Sequence, residues 1–566
     1  MKLLNQSLTK NNIVMRIFSK KWIWILLLLL ISILIRSYHF YKAGPGFFPD
    51  STQYLSMASN LIDHHKLESF GAMFPDIMRP VLYPIFVSII YFFSNDILLS
   101  GVLVSLIAGC LSVVVVYYIA NELFDSTVSK IAGLIAALNP TLVTVSTYCL
   151  TDSLSLLFLL LAYLFGLKLI NNDRYIYAVY SGLFFAISFL TRQIVEIHIY
   201  AFLVFYAGVL SWRKKYYSLV RNLCFLVISV TIVVSPYIYH TYRETGRIIF
   251  NTGKDYYGVK DYVLMHKIND GFYGKVINSY ENVSDDLKKR IEGEIAFRAI
   301  NDNRDGLLTF DYYFKVAKPV KKLSIYAEVG KQGLRKIFGN VYYLLALFWY
   351  SFGFLMIFFF VGSCWLLVEK KWVILVFSLF AVMADLMIIL QGHHEDRYAI
   401  NILAFMTIIT AFGMVNAFSF WIKEEKHRVG KWIMFLILVI LVVGGAVSLP
   451  KKYAKSIDFL KNENEILYRV TDEFRNNLKP DSRVAARWPT YVFLLNGRYV
   501  PLPIAEYDGT VEYFKKKGIE YLIMDPDAIK LRPFFTISKL NQDGTFRLER
   551  RIETKNGEWY LYKTIK

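Results

Sequence analysis

The chain has 566 residues, 55% of them hydrophobic and 17% aromatic, with a formal net charge of +19. Such a composition excludes an ordinary soluble enzyme and matches a polytopic membrane protein. The basic excess does not point to nucleic acid: Lys and Arg cluster in short loops between apolar runs, and RNP-like, zinc-finger and helix-turn-helix patterns are absent.

In chain order, residues 1–21 carry several Lys and Arg and precede an apolar stretch. Ile35-Arg36-Ser37-Tyr38 lacks a small-x-small cleavage pattern, so this stretch reads as an uncleaved first span. Runs long enough to cross a bilayer lie at 22–38, 97–120, 130–149, 153–170, 175–191, 193–211, 219–240, 342–367, 372–391, 398–421 and 432–449. Each is close to the ~20 residues that a crossing needs. The run 81–93 is too short and reads as a juxtamembrane or re-entrant helix. With the N-terminus cytoplasmic, the short Lys- and Arg-rich loops 168–174, 212–218, 368–371 and 422–431 fall on the inner side. Counting 81–93 as a span would put Arg213, Lys214 and Lys215 outside.

This topology divides the chain into a cytoplasmic N-terminus, 1–21, and a transmembrane module, 22–240, whose first outer loop is 39–96. A large extracytoplasmic segment, 241–341, follows, then transmembrane helices over 342–449. The tail, 450–566, reads as a small extracytoplasmic α/β domain: SRVAARWP, IEYLIMD and WYLYKTI as strands, and GTVEYFKKKG as a short helix ended by Gly518. Cys110, Cys149, Cys224 and Cys364 lie in or beside apolar runs without ligand spacing, which argues against a zinc site or a disulfide framework.

Charges at span ends are costly and usually have a purpose. The topology puts them on one face: Asp50 after the first span, Arg79 in DIMRPVLYP, Asp152 in STYCLTDSLSL and Arg192 in FLTRQIVEIH. His240 and Arg243 end the seventh span, and the late outer turn QGHHEDRYAI holds His393, His394, Glu395, Asp396, Arg397 and Tyr398. Each has a plainer reading. Asp50 with Gln53 looks like a capping pair, and Asp152 also suits a helix cap. Arg192 suits an interfacial anchor, and Glu196 with His198 a buried polar pair. HHEDRY lacks the HExxH spacing of a metal site. Taken together, the set suits one task. Arginines hold the phosphate of a lipid-linked substrate, and a carboxylate takes a proton from an attacking hydroxyl.

The motif order is also familiar. PDSTQYLSMASNL, MRPVLYPIF, TDSLSLLFLLLA, GLFFAISFLTRQ, SPYIYHTYRETGRIIFNTG and EDRYAINILAF, in that sequence, resemble the GT-C superfamily of membrane glycosyltransferases. The resemblance is to the branch of the protein O-mannosyltransferases and the lipid A aminoarabinose transferase, and covers roughly residues 20–420. Asp50, Tyr54 and Ala58 carry its most specific part. The resemblance implies an α-helical polytopic membrane protein of the GT-C fold, with about eleven transmembrane helices, juxtamembrane helices and the C-terminal α/β domain. Asp50 would be the general base and Asp152 would line the site. Arg79, Arg192 and Arg397 would bind the donor phosphate, with Tyr398, Tyr54, Arg243 and His394 as further substrate contacts. Two departures stand out: Ser51 replaces the Glu that many relatives have after the first acid, and Val81 follows Pro80 where many have a second proline. The first argues against a dicarboxylate metal site, so the expected reaction needs no metal and no cofactor.

The expected activity is inverting transfer of a monosaccharide from a polyprenyl-phosphate donor to a hydroxyl of a lipid, glycan or protein acceptor, on the extracytoplasmic side of the plasma or inner membrane. Membrane lipids are the other partners, and no nucleic acid is involved. A lipid-linked sugar or polysaccharide flippase is the alternative, though inverted repeats and midplane charges, its usual marks, are not evident. A receptor or scaffold acting through the tail is a third reading.

Overall fold

A computed structural model describes residues 21–67, 79–245, 248, 333–390, 395–423, 428–502, 507–532 and 535–565. Most of the expected outer segment 241–341, with its amphipathic DDLKKRIEGEIAFRAI, lies outside the described residues. In chain order the elements are α1 (Lys21–Ala43), α2 (Pro49–His64), α3 (Leu82–Ser94), α4 (Ile97–Leu123), α5 (Ser126–Leu138), α6 (Pro140–Val145), α7 (Asp152–Asn172), α8 (Tyr175–Thr191), α9 (Val195–Trp212) and α10 (Tyr216–Thr245). Then come α11 (Gly333–Phe352), α12 (Met356–Val368), α13 (Trp372–Leu390), α14 (Ile400–Lys423) and α15 (Arg428–Arg475). The tail adds β1 (Arg483–Ala486), α16 (Pro489–Leu494), β2 (Arg498–Pro501), α17 (Tyr507–Lys517), β3 (Tyr521–Met524), α18 (Pro526–Lys530), α19 (Ile537–Gln542), β4 (Phe546–Thr554) and β5 (Gly557–Thr564).

Among the described residues, 9 helices are long and apolar enough to cross a membrane, so this is a multi-span membrane protein. Two of the runs expected as spans are shorter. The run 175–191 forms the 17-residue α8. The run 130–149 breaks at Asn139-Pro140 into α5 and α6, because Asn139 caps a new helix through Leu142 N–H at 3.1 Å and Pro140 occupies its first turn. The run 81–93 is the 13-residue α3. The run 432–449 belongs to a single 48-residue helix, α15, which passes through Pro450 to Arg475.

The chain divides into two compact units. One comprises Met1–Gly46, Gly101–Pro236 and Ser324–Leu460; the other comprises Phe47–Ser100, Tyr237–Leu323 and Lys461–Lys566.

In the first unit the spans pack through small residues and aromatic rings. α12 and α14 meet at Gly362 and Gly413, where a Cβ on Gly413 would fall 1.9 Å from the Phe358 carbonyl oxygen. Such contact needs glycine on both helices, the usual device where lipid removes the hydrophobic drive for association. α7 and α8 are tied by Ser188 Oγ donating to the Ser155 carbonyl at 2.9 Å and by the stacked rings of Phe165 and Phe184. The core of the unit holds a buried polar chain drawn from four helices. Tyr163 Oη lies 2.9 Å from His198 Nδ1, His198 Nε2 lies 3.3 Å from Asp385 Oδ2, and Asn401 Nδ2 donates to the same Asp385 oxygen at 2.9 Å.

In the second unit, α2 packs on α3 through the edge-on rings of Tyr54 and Tyr83 and through Ser88 Oγ donating to the Ala58 carbonyl at 3.2 Å. The sequence pattern predicts a single apolar stripe along 51–62. In the structure every residue from Ser51 to Ala58 is buried, so this half of α2 is enclosed on all sides. The tail is a five-stranded sheet of order β2-β1-β3-β5-β4, parallel from β2 to β3 and antiparallel beyond. One face buries Val470 and Phe474 of α15 with Val492 of α16; the other buries Phe514 of α17 with Phe535 and Leu540. The three expected strands are β1, β3 and β5. β2 and β4 are additional, and Gly518 ends α17 at φ +61°. α16 also packs on α2: Thr52 Oγ1 donates to Thr490 Oγ1 at 3.3 Å, and the rings of Phe47 and Phe493 lie 6.3 Å apart.

Candidate active site

The first cluster is built on α2. Pro49 fixes its first turn, and Ser51 Oγ accepts the Phe48 N–H at 3.0 Å. A serine therefore performs the reciprocal capping that the sequence suggested for Asp50 and Gln53. Both of those side chains turn to Arg79 instead. Arg79 Nη2 donates to Asp50 Oδ1 at 2.8 Å, and Arg79 Nε donates to Gln53 Oε1. The guanidinium also lies over the Tyr54 ring, 5.5 Å from its centroid. Arg79 and Asp50 are 30% and 32% exposed, so a substrate can reach the pair.

The second cluster joins α7, α8 and the turn before α14. Asp152 is the first residue of α7, but the cap position is Thr151 and carries no side-chain cap. The Asp152 carboxylate is 2% exposed and accepts a bond from Arg192 Nη1. Arg192 ends α8, which points its side chain back to the start of the neighbouring helix. Its guanidinium lies 4.9 Å from the Tyr398 ring centroid, and that of Arg397 lies 5.2 Å from the same ring. Arg397 Nε donates to Glu395 Oε2 at 2.5 Å, and Tyr343 Oη donates to Asp396 Oδ1 at 3.1 Å. Burial pushes the Tyr148 phenol well above its ordinary range, and Asp396 and Asp152 push it the same way, so Tyr148 stays protonated beside both carboxylates.

The structure thus brings Arg79 and Tyr54 to Asp50, and Arg192, Arg397 and Tyr398 to the Asp152 cluster. Arg243 lies in the last turn of α10 with an exposed side chain. His394 lies outside the described residues. Glu196 and His198 do not form the expected pair. Tyr200 Oη donates to Glu196 at 3.0 Å, while His198 turns to Tyr163 and Asp385. Among the described residues no group of three or more His, Cys, Asp or Glu side chains could hold a metal ion. The sequence reading missed Asp385, although a lone acid inside the apolar run VMADLMIIL is itself the signal for a buried polar network.

The fold is shared with solved GT-C proteins. It is similar to the Archaeoglobus fulgidus oligosaccharyltransferase tethered with an acceptor peptide containing the NVT sequon, at 12% identity and a TM-score of 0.57, over 97% of this chain and 74% of that one. The archaeal oligosaccharyltransferase AglB from A. fulgidus, in complex with an inhibitory peptide and a dolichol-phosphate, aligns at 13% identity and 0.55, over 96% and 74%. ArnT from Cupriavidus metallidurans in the apo state aligns more loosely, at 11% identity and 0.47, over 96% and 98%. No curated protein matches the sequence. The fold is therefore that of the GT-C membrane proteins. Within it, residues 78–240 match the family described as dolichyl-phosphate-mannose-protein mannosyltransferase. That segment contains Arg79, Asp152 and Arg192; Asp50 precedes it.

Proposed function

We propose that this protein is an inverting glycosyltransferase that uses a polyprenyl-phosphate-linked sugar and works on the extracytoplasmic face. The observation that carries the reading is that Asp50 and Asp152 are each held by an arginine that itself lies over a tyrosine ring. The family name and the dolichol-phosphate in the AglB complex support a lipid phosphate as the carrier.

In the proposed step the acceptor hydroxyl oxygen attacks the anomeric carbon, and Asp50 takes the hydroxyl proton. The bond from the anomeric carbon to the phosphate oxygen breaks, and polyprenyl phosphate leaves. The donor is a phosphodiester with one negative charge; the product is a monoester carrying up to two. Arg79 therefore gains a stronger anionic partner as the reaction proceeds, and its transfer from Asp50 to the phosphate frees the carboxylate as a base. Arg192 and Arg397, flanking one ring, form a second pair of cations suited to binding a phosphate. The acceptor stays open among lipid, glycan and protein hydroxyls.

The test is sugar transfer by purified protein in lipid, supplied with labelled polyprenyl-phosphate sugars and crude membrane acceptors. Label should leave the carrier with wild type and not with Asp50→Asn. Lipid flipping without transfer, or full activity in Asp50→Asn, would defeat the mechanism.

A further inference from the structure

Arg36 lies inside the first span, 1% exposed, in a unit built for an apolar solvent. In the sequence it appears only as the basic residue of Ile35-Arg36-Ser37-Tyr38, near the end of the first apolar run. In the structure Arg36 Nη1 donates to Ser32 Oγ at 2.6 Å and to the Ala137 carbonyl at 3.3 Å. Both acceptors are neutral. Ala137 sits in the last turn of α5, whose carbonyls supply only a fraction of a negative charge. Arg36 Nε is buried and has no hydrogen-bond partner. Among the described residues no carboxylate forms an ion pair with this guanidinium. Arginine cannot shed its proton to escape the problem, and an unneutralised buried cation is among the most costly groups a membrane bundle can hold.

The structure provides space for the missing charge. A small cavity, with room for about one water-sized particle, is lined by Arg36, Gly109, Ser112 and Ser153, with Ala136 and Leu156 among its apolar walls. Gly109 keeps it open on the Nε side, since a Cβ there would lie 3.2 Å from Arg36 Nε and 2.6 Å from Ser146 Cβ. Ser153 offers a hydroxyl donor next in sequence to Asp152. The remaining walls are mostly aliphatic, which suits a weakly hydrated, spherical ion better than a polyatomic one. The nearby ionisable groups are Cys110, Tyr453 and His39; the Tyr453 proton is committed to the Leu138 carbonyl at 2.8 Å, and an imidazole supplies no negative charge.

We propose that this cavity is a buried monovalent-anion site, occupied by a halide such as chloride, with Arg36 Nε–H as its principal donor. A bound halide neutralises the guanidinium and stabilises the junction of α1, α4, α5 and α7. The test is thermal unfolding of the purified protein in nanodiscs, with sodium chloride exchanged for sodium gluconate at constant ionic strength. The midpoint should rise with chloride and saturate, bromide should substitute, and Arg36→Met should be insensitive to the exchange. Should Arg36→Met fail to fold, crystals of the wild type grown in bromide should show an anomalous peak within hydrogen-bonding distance of Arg36 Nε. Equal midpoints in chloride and gluconate, a dependence that survives in Arg36→Met, or a water with no bromide peak would each overturn the proposal. So would halide dependence that is absent in wild type and emerges only in Cys110→Ser, because the thiolate would then be the counter-charge.

Discussion

Arg79 holds two residues of the same helical turn at once, Asp50 through Nη2 at 2.8 Å and Gln53 through Nε. A carboxylate and an amide three residues apart on one face of α2 thus form a fork around one guanidinium. The fork fixes where the Arg79 guanidinium sits.

The two arms of the fork should be separable by kinetics. If Asp50 is the proposed general base, Asp50→Asn keeps the shape and removes it, so kcat should fall by about 10²–10⁴-fold, the usual worth of general-base catalysis. Gln53→Leu keeps the base but loosens Arg79, and should act mainly on the donor KM. Steady-state rates with one labelled donor check both. Equal loss of kcat in the two variants would show that Gln53 does more than position Arg79.

At the second cluster, Tyr398→Leu removes the ring that both Arg192 and Arg397 face. Each contact is worth about 0.5–2 kcal/mol, so donor affinity should weaken by roughly 3- to 30-fold with the fold intact. Tyr398→Phe should retain most of the affinity. Donor binding to the purified variants, measured by calorimetry in detergent, gives the comparison.

Asp385 is the shared acceptor of His198 and Asn401. Asp385→Ala leaves two buried donors without that partner and should cost about 1–3 kcal/mol of stability. Asp385→Asn, which retains one acceptor oxygen, should cost less. Hydrogen bonds within membrane bundles average only about 0.6 kcal/mol, so the low end of that range is expected. Denaturant unfolding in mixed micelles reads the difference.

The clasp between α16 and α2 offers a test of the tail. Phe493→Ala removes the ring beside Phe47, and Thr490→Val removes the hydrogen bond to Thr52. If the tail steadies the helix that carries Asp50, both variants should lower kcat/KM while leaving the sheet folded. The far-UV signal and protease resistance of the tail control for unfolding.

Asp525 gives a pH dependence with a definite sign. Burial raises its pKa, opposed by the Ala528 N–H that it accepts at the start of α18 and by Arg487 and Arg532. With the folded value above the unfolded one of about 3.9, the folded state binds more protons between the two values. Its stabilising contribution is full below the unfolded pKa and is lost as pH rises through the folded pKa. Asp525→Asn keeps the cap and removes the charge, so the pH slope of stability in this window should be shallower than in wild type. Asp525→Ala also loses the cap and should be about 1 kcal/mol less stable than Asp525→Asn. Thermal midpoints across the acid range decide it.

The fold class was legible in the sequence because lipid imposes length and apolarity on every span, and those are one-dimensional properties. Asp50, Arg79, Asp152 and Arg192 were legible as candidates because a charge beside an apolar run is conspicuous. Their pairing was not. Nothing in the chain says that Arg79 reaches back across 29 residues to Asp50, or Arg192 across 40 to Asp152. The local rules pointed instead to helix caps, which Ser51 performs at α2 and which no side chain performs at α7. The break of 130–149 at Asn139-Pro140 was visible as a dipeptide but was outweighed by the apolar run around it. Composition and periodicity therefore determined that this is a multi-span membrane protein with a small α/β tail. Only the tertiary structure decided which cation neutralises which acid, that α16 rests on α2, and that Arg36 faces a cavity. Those outcomes depend on which helices become neighbours, and in a bundle that choice is set by small-residue contacts and buried hydrogen bonds spread far apart along the chain.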